Sequence, residues 1–379
     1  MRRLLIAASV LACCLPSAAG DRIYKRGEAK PIECTVEKED WKEVTYKLQG
    51  AASGTLSWDK VASIDYGDEP VALKDARAAA EKGDREGAAE LYRKAADGLA
   101  EKPIHRARAL FNAGTQFQTL GKYGEAIAAF DALLKEIPSN RYFKEASEAR
   151  VACFLSKGDS KGATDAITAS VAQAKEMNVD AQFSAMMNLK EAEVLEAAGD
   201  IATANGKFGA VSGQASGKWP AIAGMAKLGQ ARCQMKSSPA VAQGTFESIT
   251  KDPSFKTQRA VIGAAYAGLG DCLFEQAEKG NDLDKMKRAA ISYLNTVTLY
   301  FPPDSAPTGA YESALVGGAR AFLVLAQKAE PAAKKARETW ANQSRSLAVM
   351  LIDQFPSSVH KTKAEEIRKA ADAELEKAK

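Results

Sequence analysis

The sequence predicts a mostly α-helical chain in which a stack of helix pairs, an α-solenoid, follows a small β-rich segment. Three observations predict this fold class. Residues 21–68 alternate apolar and polar side chains with the period of two that strands show. Later residues place apolar side chains every three or four positions, as amphipathic helices do. Within that helical part, glycine, aromatic and proline residues recur with similar spacing, which indicates repeated units.

The composition is that of a folded chain and excludes several classes of function. The 379 residues are 46% hydrophobic and 26% charged, which indicates neither disorder nor a membrane-spanning protein. The net charge of +4 predicts no basic patch for nucleic acid. His105 and His360 lie far apart in loops and are predicted to be solvated, so metal sites and His-dependent catalytic constellations are hard to assemble. We therefore predict a non-enzyme without cofactor or metal.

Residues 1–20 have the pattern of a secretory signal peptide. Two arginines precede an apolar run at 4–15, and small residues lead into Asp21. The run is too short for a permanent anchor, which needs about 20 residues. We predict cleavage after Ala19 or Gly20, and a periplasmic or secreted protein.

A lipid anchor is the alternative interpretation of the same leader. Residues 10–13 resemble the lipobox of bacterial lipoproteins, in which Cys13 is acylated and becomes the mature N-terminus. Apolar residues continue past Cys13, and a better small-residue site comes directly after them, so soluble export is favoured. Only the alternative would attach the protein to a membrane of the cell envelope.

Four cysteines remain once the leader is removed. Export permits disulfides, yet the gaps between these cysteines are long and they form no Cys-x-x-Cys pair. We predict buried, unpaired thiols that act as small apolar side chains. These residues are Cys34, Cys153, Cys233 and Cys272.

Residues 21–68 are predicted to form four or five short strands. The apolar members of the alternation are Ile32, Cys34, Val36, Val44, Tyr46, Leu48, Leu56, Trp58, Val61, Ile64 and Tyr66. Such a segment forms a curled sheet or barrel of SH3-like size, which buries little core and leans on the helices after it. Trp41 and Trp58 could form a ligand-binding face. Because so small a sheet needs its large side chains inside, we predict that at least one of them is core.

The clearest helical repeat occupies residues 107–140. Leu110, Ala113, Gly114 and Phe117 lie on one face of a first helix, which ends at Gly121. A second helix begins at Tyr123 and stops at Pro138. Its apolar stripe consists of Ala126, Ile127, Phe130, Leu133, Leu134 and Ile137.

This pair of helices resembles the tetratricopeptide repeat (TPR), a helix-turn-helix unit of about 34 residues. The resemblance is carried by Gly114, Phe117, Gly121, Tyr123, Ala126, Phe130 and Pro138. Leu110 and Ala113 depart from it, since the family has tryptophan and leucine there. Weaker copies bring the total to six or seven over residues 69–358, followed by a charged capping helix at 359–379. In the sixth copy, polar residues 279–285 are predicted to lengthen the turn, and Ile291 and Phe301 to belong to the apolar stripe.

The resemblance implies a non-catalytic protein-protein interaction scaffold, similar to periplasmic TPR proteins that assist envelope assembly or maintenance. The first helix of each unit would line a concave face that binds a protein or peptide. Mixed charges and amides there suit an extended peptide. The predicted contacts are Arg108, Phe111, Asn112, Thr115, Gln118, Glu193, Gln230 and Asp271, with Glu196 and Phe274 beside them. An oligomerising structural or adaptor subunit that docks through the β-rich segment is the alternative, so self-association stays open. A hydrolase with an unrecognised site ranks third.

Overall fold

The computed structural model describes residues 20–48, 52–301, 309–356 and 358–378. The predicted signal peptide, including Cys13, lies outside the described residues except for Gly20. The chain divides into two compact units, Met1–Val179 and Asp180–Lys379. None of the helices in the described ranges has both the length and the apolar character needed to cross a membrane.

The β-rich segment of the first unit is a five-stranded antiparallel sheet. Its strands are β1 (Asp21–Lys25), β2 (Ile32–Glu39), β3 (Glu43–Leu48), β4 (Ser53–Ser57) and β5 (Val61–Asp65), in the order β4-β3-β2-β1-β5. The predicted alternation is confirmed, because Cys34, Val36, Val44 and Val61 are buried together with Ile23 of β1. Trp58 packs against this core from a short 3-10 turn between β4 and β5.

A β-bulge in β2 changes which side chains point into the sheet core. The register against β3 shifts between Val36 and Lys38. Strict alternation would turn Lys38 inward, whereas the extra residue leaves Lys38 exposed and buries Glu39. The bulge therefore places a carboxylate, rather than an ammonium group, at the inner end of the strand.

Six helices follow the sheet among the described residues of the first unit. They are α1 (Val71–Glu81), α2 (Arg85–Asp97), α3 (Pro103–Thr119), α4 (Tyr123–Glu136), α5 (Phe143–Ser156) and α6 (Ser160–Glu176). The clearest predicted repeat is α3 and α4. A side chain at Gly114 would place its Cβ 2.5 Å from the Phe130 ring, so only glycine lets the two helices cross this closely. Gly121 adopts a left-handed φ of 71° in the turn between them.

Nine helices lie in the described part of the second unit. They are α7 (Ala181–Ala197), α8 (Ile201–Ala215), α9 (Pro220–Ser237), α10 (Pro239–Lys251), α11 (Arg259–Gly280), α12 (Leu283–Leu299), α13 (Gly309–Gln327), α14 (Lys334–Gln354) and α15 (Lys361–Ala378). Consecutive helices pack together, and α7, α9, α11, α13 and α15 also contact one another in succession. The described even-numbered helices show no comparable contacts among themselves. The odd-numbered helices are therefore the inner layer of this unit, as the TPR-like fold class predicts.

Two details of the sixth copy were predicted wrongly. Its turn is not lengthened, because α11 continues to Gly280 and Asn281 ends it in the left-handed conformation with φ of 49°. Asp282 then caps α12 at once by accepting from the backbone N–H of Lys285 at 3.0 Å. Ile291 and Phe301 are 57% and 51% exposed. Ile291 lies on the outer face of α12, and Phe301 lies beyond the end of that helix.

Candidate interaction surfaces

Arg108, predicted to contact a partner, is bound by its own chain. Its Nη2 donates to Glu69 Oε1 at 3.0 Å, and its guanidinium lies 4.6 Å from the centre of the Tyr66 ring. Glu69 also accepts two hydrogen bonds from Arg77 at 3.1 and 2.9 Å. Burial alone would raise the pKa of Glu69, but the two arginines outweigh it and hold that pKa below its usual range. Arg108 therefore anchors the segment that joins β5 to α1, with 18% of its side chain exposed.

The other predicted contacts on α3 also have partners within the first unit. The Phe111 ring stacks on Tyr142, with 4.4 Å between ring centres. Asn112 and Thr115 donate to the carbonyl oxygens of Arg108 and Phe111, at 2.8 and 2.9 Å. Gln118 is half-buried nearer the end of the helix. The structure thus leaves Gln118 as the predicted α3 residue with most freedom to meet a partner.

In the second unit, the predicted contacts lie on three successive inner helices. Glu193 of α7 accepts from Lys190 at 2.9 Å. Gln230 of α9 lies against Gly209, and its amide makes no hydrogen bond within the described part of the chain. Asp271 of α11 accepts from the Tyr293 hydroxyl at 2.7 Å. Burial raises the pKa of Asp271, and the Tyr293 hydrogen bond offsets this only in part.

Glu196 and Phe274 each have a partner on a neighbouring inner helix. Glu196 accepts from Arg232 at 3.0 and 2.7 Å, which links α7 to α9. Phe274 is buried, and the guanidinium of Arg320 on α13 lies 4.5 Å from its ring centre. A partner on this face would meet Arg320 before the Phe274 ring.

Sequence reasoning missed a polar network where the sheet meets α3. His105 was predicted to be solvated, and that prediction is wrong: it is 4% exposed, and its Nε2 lies 2.8 Å from Asp68 Oδ1. The reason is that Pro103 begins α3 instead of ending a loop, a position that suits proline because its missing N–H costs nothing there. Hydrogen bonds from Lys102 and His105 lower the pKa of Asp68. Pro103 was the residue from which the start of α3, and so the place of His105 in a helix, could have been predicted.

The two tryptophans of the sheet face cations of their own unit. The Arg141 guanidinium lies 4.1 Å from the centre of the Trp58 ring, and Lys144 Nζ lies 4.8 Å from that of Trp41. Trp58 Nε1 also donates to the carbonyl oxygen of Asp40 at 2.7 Å. These contacts hold the β2–β3 turn against the connection between α4 and α5.

The described ranges contain no cluster of side chains with the geometry of a metal site or a reactive thiol site. No three His, Cys, Asp or Glu residues there could hold a metal ion together. The four cysteines within these ranges are free and buried, as predicted. Burial raises the pKa of Cys34 and Cys153 to about 11 and that of Cys272 to about 12, so these thiols stay protonated and poorly nucleophilic at neutral pH.

Comparisons with known proteins reach only the level of fold. No protein-family model matches the chain, and no curated protein sequence matches it. The chain is similar to the crystal structure of a tetratricopeptide repeat protein from Parabacteroides merdae, at 15% identity and a TM-score of 0.48, over 80% of this chain and 98% of that one. It is also similar to the apo form of a quorum sensor from B. thuringiensis, at 14% identity and a TM-score of 0.43, over 81% and 90%. A third similar structure is the C-terminal part of a TPR repeat-containing protein from Cytophaga hutchinsonii. Its sequence identity is 12% and its TM-score is 0.38, over 77% of this chain and 98% of that one. Likenesses this low carry no argument about what the chain binds.

Proposed function

We propose that this protein is an exported, non-catalytic interaction scaffold that holds an extended segment of a partner protein on the inner helices of its second unit. One observation carries the proposal: Glu193, Gln230 and Asp271 lie on three successive inner helices, α7, α9 and α11. Each is half-buried and directly follows a buried small residue, namely Ala192, Gly229 and Gly270. These three side chains, one on each of α7, α9 and α11, are called the peptide row below.

The spacing of packed inner helices suits an extended chain. Packed helices lie about 8–10 Å apart. An extended chain advances about 3.3 Å per residue, so every third residue of a bound segment would meet the next inner helix. The free amide of Gln230 can donate to a backbone carbonyl and accept from a backbone N–H. Carboxylates on either side add acceptors for backbone or side-chain donors.

Site-specific photo-crosslinking tests this surface in the cells that make the protein. A photoreactive phenylalanine analogue at position 230 should give a discrete heavier adduct, and Glu193→Ala should weaken that adduct. The same analogue at position 251, on the exposed side of α10, is the matched control and should give none. Equal adducts at both positions would refute the inner-face proposal. An adduct of twice the chain mass would indicate self-association instead.

The exported location in the cell envelope rests on residues 1–20 alone. We expect the mature protein to begin at Gly20 or Asp21, because small residues precede these positions at the end of the leader. N-terminal sequencing and intact mass of the protein from its own cells check this. Retention of Met1 would contradict export, and a lipid on Cys13 would place the scaffold on a membrane surface.

A further inference from the structure

A cleft of about 150 Å³ lies in the first unit between β2, the start of α3 and the connection from α4 to α5. Its floor is apolar and is formed by Pro103, Ile104, Ala107 and Ile137. An apolar cavity of this size elsewhere holds benzene, a ligand of six non-hydrogen atoms. The cleft can therefore take one side chain but not a folded ligand.

One wall of the cleft carries a carboxylate with an unused oxygen. The bulge in β2 turns Glu39 inward, where the residue is 7% exposed and lines the cleft. The Tyr66 hydroxyl donates to Glu39 Oε1. Glu39 Oε2 accepts no hydrogen bond from the described residues. This oxygen is not fully shielded from solvent. This oxygen therefore remains open to a donor that enters the cleft.

The cations around the cleft are engaged elsewhere. Lys38 Nζ lies 3.2 Å from the Asp40 carboxylate, and Arg141 lies over the Trp58 ring. Glu37 adds a second acid at the rim, and no ion pair within the described ranges includes Glu39. A buried carboxylate is costly unless a cation or hydrogen-bond donors satisfy it. In agreement, burial raises the pKa of Glu39, and the Tyr66 hydrogen bond and the nearby Arg141, Arg108 and His105 offset this only in part.

We propose that this cleft receives a lysine side chain of a partner protein, with the methylene stem on the apolar floor and the ammonium group donating to Glu39 Oε2. Lysine combines an apolar stem with a compact charged head, as the floor and wall require. Arginine fits less well, because its planar fork bonds best to two free carboxylate oxygens and Tyr66 already occupies one. The site lies in the other unit from the peptide row proposed above and does not depend on it.

The test is an NMR titration of the full mature chain with Nα-acetyl-lysine methylamide. Signals of the Trp58 indole N–H and of the Ile104, Ala107 and Ile137 methyl groups should shift and saturate. The matched probe Nα-acetyl-norleucine methylamide has the same stem without the charge and should bind about tenfold more weakly, the effect of one charge-assisted hydrogen bond. Equal affinities for the two probes, or shifts that avoid these residues, would overturn the proposal.

Two variants assign the effect to Glu39. Glu39→Gln keeps an acceptor for Tyr66 but removes the charge, so it should abolish the preference for lysine over norleucine. Glu37→Gln removes a neighbouring exposed charge and should leave that preference within about twofold, as expected for a screened surface group. An unchanged preference in Glu39→Gln contradicts the proposal.

A measurement on the unaltered protein covers the case in which Glu39→Gln fails to fold. Acidification should weaken lysine binding as Glu39 takes up a proton, at a pH above the usual glutamate range because burial raises its pKa. Norleucine binding should not change over the same range. Lysine binding that is insensitive to pH down to the unfolding transition would refute the role of the carboxylate.

Discussion

The predicted partner contacts of the two units differ in what surrounds their side chains. In the first unit, Arg108 and Phe111 are covered by Tyr66, Glu69 and Tyr142 of the same chain. In the second unit, Gln230 makes no hydrogen bond with a described residue, and Glu193 accepts from Lys190 of its own helix. The availability of a side chain on a predicted contact helix therefore depends on what else packs there. Substitutions in both units can break or sharpen this contrast.

The largest expected effect is the loss of a buried phenylalanine ring that packs against a glycine, and each unit has such a ring. Phe130 is fully buried against Gly114, and Phe208 of the second unit is fully buried against Gly229. Phe130→Ala and Phe208→Ala should each lower the free energy of unfolding by about 3–5 kcal/mol, measured by denaturant titration.

Val171 is 41% exposed on α6, so Val171→Ala is the control and should change stability by less than about 0.5 kcal/mol. A Phe130→Ala protein that unfolds like the wild type would show that the pairing of α3 with α4 is wrong.

Next in size is the close crossing of α3 and α4. Gly114→Ala brings a methyl group to 2.5 Å from the Phe130 ring, which has to move, and we expect a loss of about 2 kcal/mol. Gly124→Ala is the matched control, because its Cβ would meet nothing within 4 Å in α4. Alanine there should stabilise the protein by roughly 0.5–1 kcal/mol. Thermal midpoints that shift in the same direction for both variants would contradict this crossing.

A smaller effect separates the two inner faces directly. Arg108→Ala removes a charged hydrogen bond to Glu69 and the contact with Tyr66, so it should cost about 1.5 kcal/mol. Gln230→Ala removes no hydrogen bond to a described residue and should cost less than about 0.5 kcal/mol. If the two variants were equally stable, Arg108 would not anchor the sheet, and the contrast between the units would disappear.

The smallest effect is an opposite dependence on pH in the two units. The pKa of Glu69 is lowered on folding, so its stabilisation is present above the unfolded value near 4.3 and is lost as pH falls through the folded value. Glu69→Gln should therefore destabilise the protein at neutral pH and lose this effect in acid. The pKa of Asp271 is raised, so its contribution is present below about 3.9 and is lost as pH rises through the folded value.

Asp271→Asn should consequently stabilise the protein at neutral pH, and the gain should vanish in acid. Unfolding free energies at a series of pH values measure both variants. A gain that grows as pH falls would show that the Asp271 carboxylate is stabilised by its surroundings rather than destabilised by burial.

Local chemistry was sufficient to predict the sheet and the clearest helix pair. Period-two alternation identified the sheet, and Gly121 and Pro138 bounded the helices of the clearest repeat because a left-handed turn and a missing N–H act within a few residues. The contact between Gly114 and Phe130 could also be predicted, since the repeat pattern pairs a small residue with a large one. The burial of His105 could not, because it depends on Asp68 being brought to the start of α3.

The sequence by itself determined the clearest helix pair, the small sheet and the unpaired cysteines. All of these follow from side-chain spacing along one element or one repeat. Only the tertiary structure decided that Glu69 and Tyr66 engage Arg108, that a bulge turns Glu39 into a cleft, and that the Gln230 amide makes no hydrogen bond with a described residue. These outcomes depend on which distant segments meet, and the burial and charge of a side chain are set by those neighbours rather than by its own position in the pattern.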